Sequence, residues 1–308
     1  MSRMGDVLAG NHATWEFDSD SVLIRFERGI RTPRLFQSLR ERRIPYAALA
    51  SVRLFPGKRG TVVLHAVPRP GADPLLEAAA GQLKEGADPY RLVLPADREA
   101  LAGSCADALR SVLGPDASLP ADRFLVAAPE APLRFKAYDG RAGFDGSRVS
   151  FRWSWTGASS AKWKAGDQTF PVAELSGVEW RSPEAAEGYL RLVPRAAEAD
   201  GPGGPGSPSG PQPAGPPRVQ ADQDPATVLF GLGYGPVHES LPFAAAVLES
   251  VRRTHPAPQA PAVVPVGGAA HDPAAVAERI RHLGELHRAG LVTDAEYGAK
   301  KAELLAEL

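Results

Sequence analysis

Apolar residues at every second position mark strands in two distant parts of the chain. Val22, Ile24 and Phe26 alternate with polar neighbours, and so do Val149, Phe151, Trp153 and Trp155. This period of two predicts half-buried strands. Further apolar strands are expected at 61–67 and 90–94, and again at 189–193 and 227–232. A helix follows each set. Leu101, Cys105, Ala108, Leu109 and Val112 fall on one helical face, as do Leu241, Ala245, Leu248 and Val251. Residues 73–86 suit a short helix. From residue 272 the period changes for good: Val276, Ile280, Leu283 and Leu286 form one helical stripe, and Gly290 supplies a left-handed cap. Thr293 and Glu296 then form a capping box, which opens a second helix with Tyr297, Leu304, Leu305 and Leu308 on its apolar side.

The two strand regions are copies of each other. Phe17-Asp18 and the strand Val22 to Phe26 return 127 residues later as Phe144-Asp145 and Val149 to Trp153. Pro45, Leu49 and Val52 return as Pro171, Leu175 and Val178; Val67-Pro68-Arg69 returns as Val193-Pro194-Arg195, both at an offset of 126. Asp88-Pro89 matches Asp224-Pro225, and Leu109-Arg110-Ser111-Val112 matches Leu248-Glu249-Ser250-Val251. Matches in constant order, with one insertion, indicate duplication. The expected organisation is copy one at 7–114, a linker at 115–132, copy two at 133–253, a tether at 254–271 and a helical hairpin at 272–308. Copy two is interrupted at 200–217 by a Gly/Pro-rich stretch that cannot bury enough apolar area to order itself. Short strands closed by one amphipathic helix predict a mainly β fold with some α, a small barrel or sandwich in each copy.

The stretch 43–54, RIPYAALASVRL, and its counterpart 169–180, TFPVAELSGVEW, resemble a hallmark of bacterial pleckstrin-homology-like domains. The tandem arrangement resembles an uncharacterised actinobacterial family in which two such domains precede a helical tail. The tail itself, LGELHRAGLVTDAEYGAKKAELL, resembles the short C-terminal domain known as SHOCT, through Leu283, Leu286, Gly290, Leu291, Thr293, Glu296, Lys301, Leu304 and Leu305. Tyr297 stands where phenylalanine is commoner. The resemblance implies recognition by the tandem domains. It implies protein contact or self-association through Ile280, Leu283, Leu286, Leu291, Tyr297, Leu304 and Leu305. A hairpin of this size has a marginal core alone and gains stability by docking.

Composition adds limits. One cysteine, Cys105, supports no disulfide framework and suits a cytoplasmic protein; it is expected on the buried face of its helix. No stretch is apolar enough for a membrane span, and residues 1–11 carry no long apolar run, so no secretory signal is expected. The net charge is −1, yet residues 21–60 hold ten Arg or Lys against two Glu, a local +8. Copy two, at 147–187, balances five basic residues with five acidic ones, so this charge belongs to copy one. Arg28, Arg31, Arg34, Arg40, Arg42 and Arg43 are therefore the candidates for contact with an anion or an anionic lipid surface, at about 1 kcal/mol per residue near such a surface. Nucleic acid is the less favoured partner for the same residues.

Catalytic chemistry is not expected. His282 and His287 lie five apart, off a shared helical face, and with no second cysteine no metal or cofactor is expected. Gly231, Gly233 and Gly235 lack the spacing of a dinucleotide turn and are read as a loop of close approach. Asp18 and Asp145 recur as turn formers. Trp153 and Trp155 are expected in the core, and Trp163, off their register, on the surface.

Overall fold

The structure is a computed structural model that describes residues 7–185, 187–195 and 220–255. The chain divides into two compact units, Met1–Ala257 and Pro258–Leu308. The second unit, with the expected hairpin and all seven of its candidate contact residues, lies outside the described residues, as does the 200–217 stretch.

Copy one runs β1 (Val7–Ala9), β2 (Ala13–Phe17), β3 (Ser21–Phe26), α1 (Arg34–Leu39), β4 (Glu41–Pro45), β5 (Leu49–Pro56), β6 (Thr61–Pro68), α2 (Pro74–Ala79), β7 (Arg91–Pro95) and α3 (Glu99–Ser111). Copy two runs β8 (Leu133–Lys136), β9 (Gly140–Phe144), β10 (Arg148–Trp153), α4 (Ser160–Ala165), β11 (Gln168–Pro171), β12 (Leu175–Arg181), β13 (Tyr189–Pro194), β14 (Thr227–Leu229) and α5 (Val237–Thr254). Each copy has a four-stranded antiparallel sheet, β1 to β4 or β8 to β11, then a three-stranded one, β5 to β7 or β12 to β14. The four sheets are mainly β architecture without a closed barrel among the described residues. The alternation read from sequence sets the cores: Trp15, Ile24, Leu64 and Leu92 are buried in copy one, and Phe144, Phe151, Leu190 and Leu192 in copy two.

The closing helices differ in their surroundings. α3 lies on β5, β6 and β7 and buries Ala102, Cys105, Ala106 and Leu109, while Leu101 and Val112, expected inside, are exposed. α5 lies on β8 and β12 and also against α1 and α2 of copy one. It is therefore buried almost all round from Ser240 to Val247, well beyond the single stripe that its period predicts.

That second contact joins the copies. Leu35, Leu75, Ala78 and Ala79 of copy one belong to the same apolar cluster as Trp180, Val247 and Val251 of copy two. Polar links surround it: Arg252 Nη2 donates to Glu77 Oε1 at 2.5 Å, and Lys84 pairs with Glu184 at 3.0 Å. Gln82 donates to the Trp180 carbonyl at 3.0 Å and accepts from the Ser182 N–H at 2.9 Å, so its amide continues the edge of β12. The 73–86 segment, the connection between β6 and β7 of copy one, makes this joint together with α1.

Candidate functional site

The arginine-rich segment does not act as one patch. β4 alternates between exposed Glu41 and Arg43 and buried Arg42 and Ile44. Arg42 therefore points inward, its side chain 3% exposed. Its Nη2 donates to Asp73 Oδ1 at 2.8 Å and its Nε to the Tyr90 hydroxyl at 3.1 Å, while that hydroxyl donates to Asp73 Oδ2 at 2.5 Å. Asp73 also caps α2 by accepting from the Leu75 N–H at 2.8 Å. Burial alone would lower the Arg42 pKa, but Asp73 and Tyr90 outweigh it and hold the guanidinium above its ordinary range. Burial pushes the Tyr90 phenol well above its own. Arg42 is thus a correction to the sequence reading: it is the anchor of the helix at the joint and unavailable to a surface ligand. Parity with Ile44 was the signal.

Arg43 is exposed, but Asp18 accepts from it, and so does the Ser21 hydroxyl at 2.8 Å. That hydrogen bond with Asp18 raises the Arg43 pKa. Arg28, Arg31, Arg34 and Arg40 are exposed and make no ion pair among the described residues. Arg28, Arg31 and Arg34 lie along the loop from β3 into the start of α1, and Arg40 follows the end of that helix. Gln37 ties that loop down by donating to the Gly29 and Thr32 carbonyls at 3.0 and 2.9 Å. Ile30 stands at its tip, 105% exposed.

Pro33, Arg34 and Leu35 form one wall of a cleft of about 400 Å³ at the joint. Leu83 and Lys84 line it from copy one, and Pro183, Leu232, Tyr234 and His238 from copy two. Burial lowers the His238 pKa; Glu239 opposes this and Arg34 adds to it.

A family model described as a domain of unknown function (DUF4429) matches residues 15–110 and again 142–248. The chain belongs to the DUF4429 family. The two matched regions are the two copies, so the tandem reading holds at the level of family. No curated protein matches the chain.

The second DUF4429 repeat carries features that the sequence left scattered. β10 ends at Trp153, so Trp155 leaves the strand and is 81% exposed, contrary to the expectation of a core position. It meets Trp163, exposed as expected, at 5.4 Å between ring centroids. Gly231 and Gly235 do serve close approach, whereas nothing lies near Gly233, which is held instead by its positive φ. A Cβ on Gly231 would meet Tyr138 Cβ at 3.1 Å, and Gly233, at φ 78°, turns the chain so that Leu232 is 103% exposed. Asp145 accepts from the N–H groups of Ser147 and Arg148 at 2.8 and 2.7 Å, a turn of the expected kind, and these bonds lower its pKa. Lys162, missed by the sequence reading, is fully buried against Asp139 at 2.6 Å. Burial lowers its pKa and Asp139 opposes the shift. Among the described residues no three His, Cys, Asp or Glu side chains are grouped to hold a metal, and no helix is long and apolar enough to cross a membrane.

Proposed function

We propose that this DUF4429 protein is a non-catalytic cytoplasmic adaptor. Its two repeats are pleckstrin-homology-like and act as one recognition body, and residues 272–308 form a SHOCT-like hairpin that joins that body to another copy or to a protein partner. The observation that carries the reading is the fused joint: α5 of copy two closes its own sheets and packs on α1 and α2 of copy one. The order of four strands, three strands and a closing helix in each copy supports the pleckstrin-like assignment. The capping residues Gly290, Thr293 and Glu296 support the hairpin. Light scattering and affinity capture on the full chain and on a chain lacking 272–308 test the tail. The truncated form should lose mass or lose its captured partner. An unchanged oligomeric state together with unchanged capture removes the assembly role.

A second reading makes copy one a weak sensor of anionic lipid. It rests on four exposed arginines without ion pairs among the described residues, Arg28, Arg31, Arg34 and Arg40, around the exposed Ile30. Reversing Arg31 and Arg34 should abolish sedimentation with anionic vesicles, and equal sedimentation of both forms refutes it. Binding to duplex DNA in place of vesicles would assign the same arginines to nucleic acid.

A further inference from the structure

Strand pairing in copy two sets like charges side by side. Lys136 on β8 lies directly opposite Arg141 on β9, and Arg141 lies opposite Arg152 on β10. Neighbouring strands are about 4.8 Å apart, so three cations share roughly 10 Å of sheet face. Arg134, two residues along β8, adds a fourth. None makes an ion pair among the described residues. The four line a basin of about 600 Å³ whose one acidic lining residue is Glu239. Like charges directly opposite on a sheet face are destabilising, so the row opposes the fold that holds it.

Copy one provides the internal comparison. By register, the same row there is Ala9, Thr14 and Arg25, and it runs on to Glu41. Arg25 lies 3.1 Å from Glu16. In copy two the position of Glu16 is Gly143, which opens the basin floor; a Cβ there would meet Ser150 Oγ at 2.9 Å. The acid at the Glu16 position is gone and two further cations are present, while Asp167, at the position of Glu41, keeps one acid at the Arg152 end of the row.

Apolar tips border the row. Lys136 Nζ lies 4.9 Å from the centroid of the Tyr234 ring, in the same turn as Leu232. Tyr138, two residues beyond Lys136, packs on Tyr234 with centroids 6.2 Å apart. Trp155 follows Arg152 by three residues, and its loop passes Tyr138 at Gly157. Cations beside exposed Leu and Trp match a bilayer interface, where basic groups meet anionic headgroups and Trp and Leu enter the acyl boundary. Nucleic acid would satisfy the cations but give Leu232 nothing to bury against.

We propose that the basic row Lys136, Arg141 and Arg152 of copy two, with Leu232 and Trp155 beside it, docks on an anionic lipid bilayer. The cations of the site are neither in the tail nor among the arginines of copy one, although Leu232 also lines the joint cleft that Arg34 borders. The test uses the full chain with vesicles of phosphatidylcholine alone or mixed with phosphatidylglycerol, followed by co-sedimentation and tryptophan fluorescence. Each cation near the surface is worth about a fivefold rise in partitioning. Arg141→Glu with Arg152→Glu should lower it at least about tenfold, whereas Arg53→Glu with Arg98→Glu, the same charge change elsewhere, should leave binding to the mixed vesicles. Leu232→Ser with Trp155→Ser should remove the blue shift and most of the binding. All these side chains are exposed, so melting temperatures should not fall, and relief of the like charges should raise that of the Arg141/Arg152 variant slightly. Four results overturn the proposal: no preference for the anionic vesicles, binding that survives the Arg141/Arg152 change, binding without a fluorescence shift, or tighter binding to duplex DNA than to vesicles at equal salt. Survival of binding in the Arg141/Arg152 variant would leave the copy-one arginines as carriers.

Discussion

Replacing Asp73 with alanine should unfold more than its own surroundings. The carboxylate accepts from Arg42 at 2.8 Å, from the Tyr90 hydroxyl at 2.5 Å and from the Leu75 N–H at 2.8 Å, and all of it is out of water. Removing one partner of a buried pair leaves an uncompensated charge, at about 3–5 kcal/mol. Loss of the cap on α2 is worth about 1 kcal/mol alone, though the terms share one carboxylate and do not add in full. The expected loss is therefore about 3–5 kcal/mol in urea unfolding followed by tryptophan fluorescence. Because α2 carries Leu75, Ala78 and Ala79 into the core shared with copy two, faster hydrogen exchange should spread to α5. Arg42→Met in the same chain should restore most of the loss, since an apolar pair of similar volume can replace a buried ion pair. A loss below about 1 kcal/mol for Asp73→Ala, or no recovery in the double variant, would refute the assignment of Arg42 as the anchor of the joint.

Two further outcomes follow from the site. Arg141→Thr, which installs the copy-one residue in the cation row, should stabilise the protein by about 0.2–1 kcal/mol and weaken vesicle binding; destabilisation in denaturant titration would contradict the like-charge argument. His238, its pKa lowered by burial and by Arg34, binds its proton less readily folded than unfolded. Stability from this group is therefore lost as pH falls from about 6.5 through the folded pKa. His238→Gln should flatten thermal melting over that window, and an unchanged pH profile argues against it.

Much of the fold is written in short-range pattern. The period of two found the strands, and the repeated landmarks found the duplication, because each depends on residues near one another in sequence. The misplacements come from what lies beyond that range. Leu101 and Val112 share the stripe of α3 but are exposed, whereas α5 is buried beyond its stripe by α1 and α2 of copy one, which are distant from it in the chain. Trp155 keeps the inward parity only until β10 stops at Trp153. The charge count grouped Arg42 with its neighbours although its parity with Ile44 turned it inward. It passed over Lys136, Arg141 and Arg152, which are dispersed along the chain and gathered only by strand register.

The functional account rests on the two copies being one body. Scanning calorimetry of the full chain, with Leu75→Ala as the comparison, tests this most directly. A shared core predicts one cooperative transition for both copies, with a calorimetric to van't Hoff enthalpy ratio of about 1. Leu75→Ala, which empties a fully buried site in that core, should lower the whole transition by about 2–5 kcal/mol of stability. Two resolved transitions in the parent chain, or a Leu75→Ala effect confined to one of them, would contradict it.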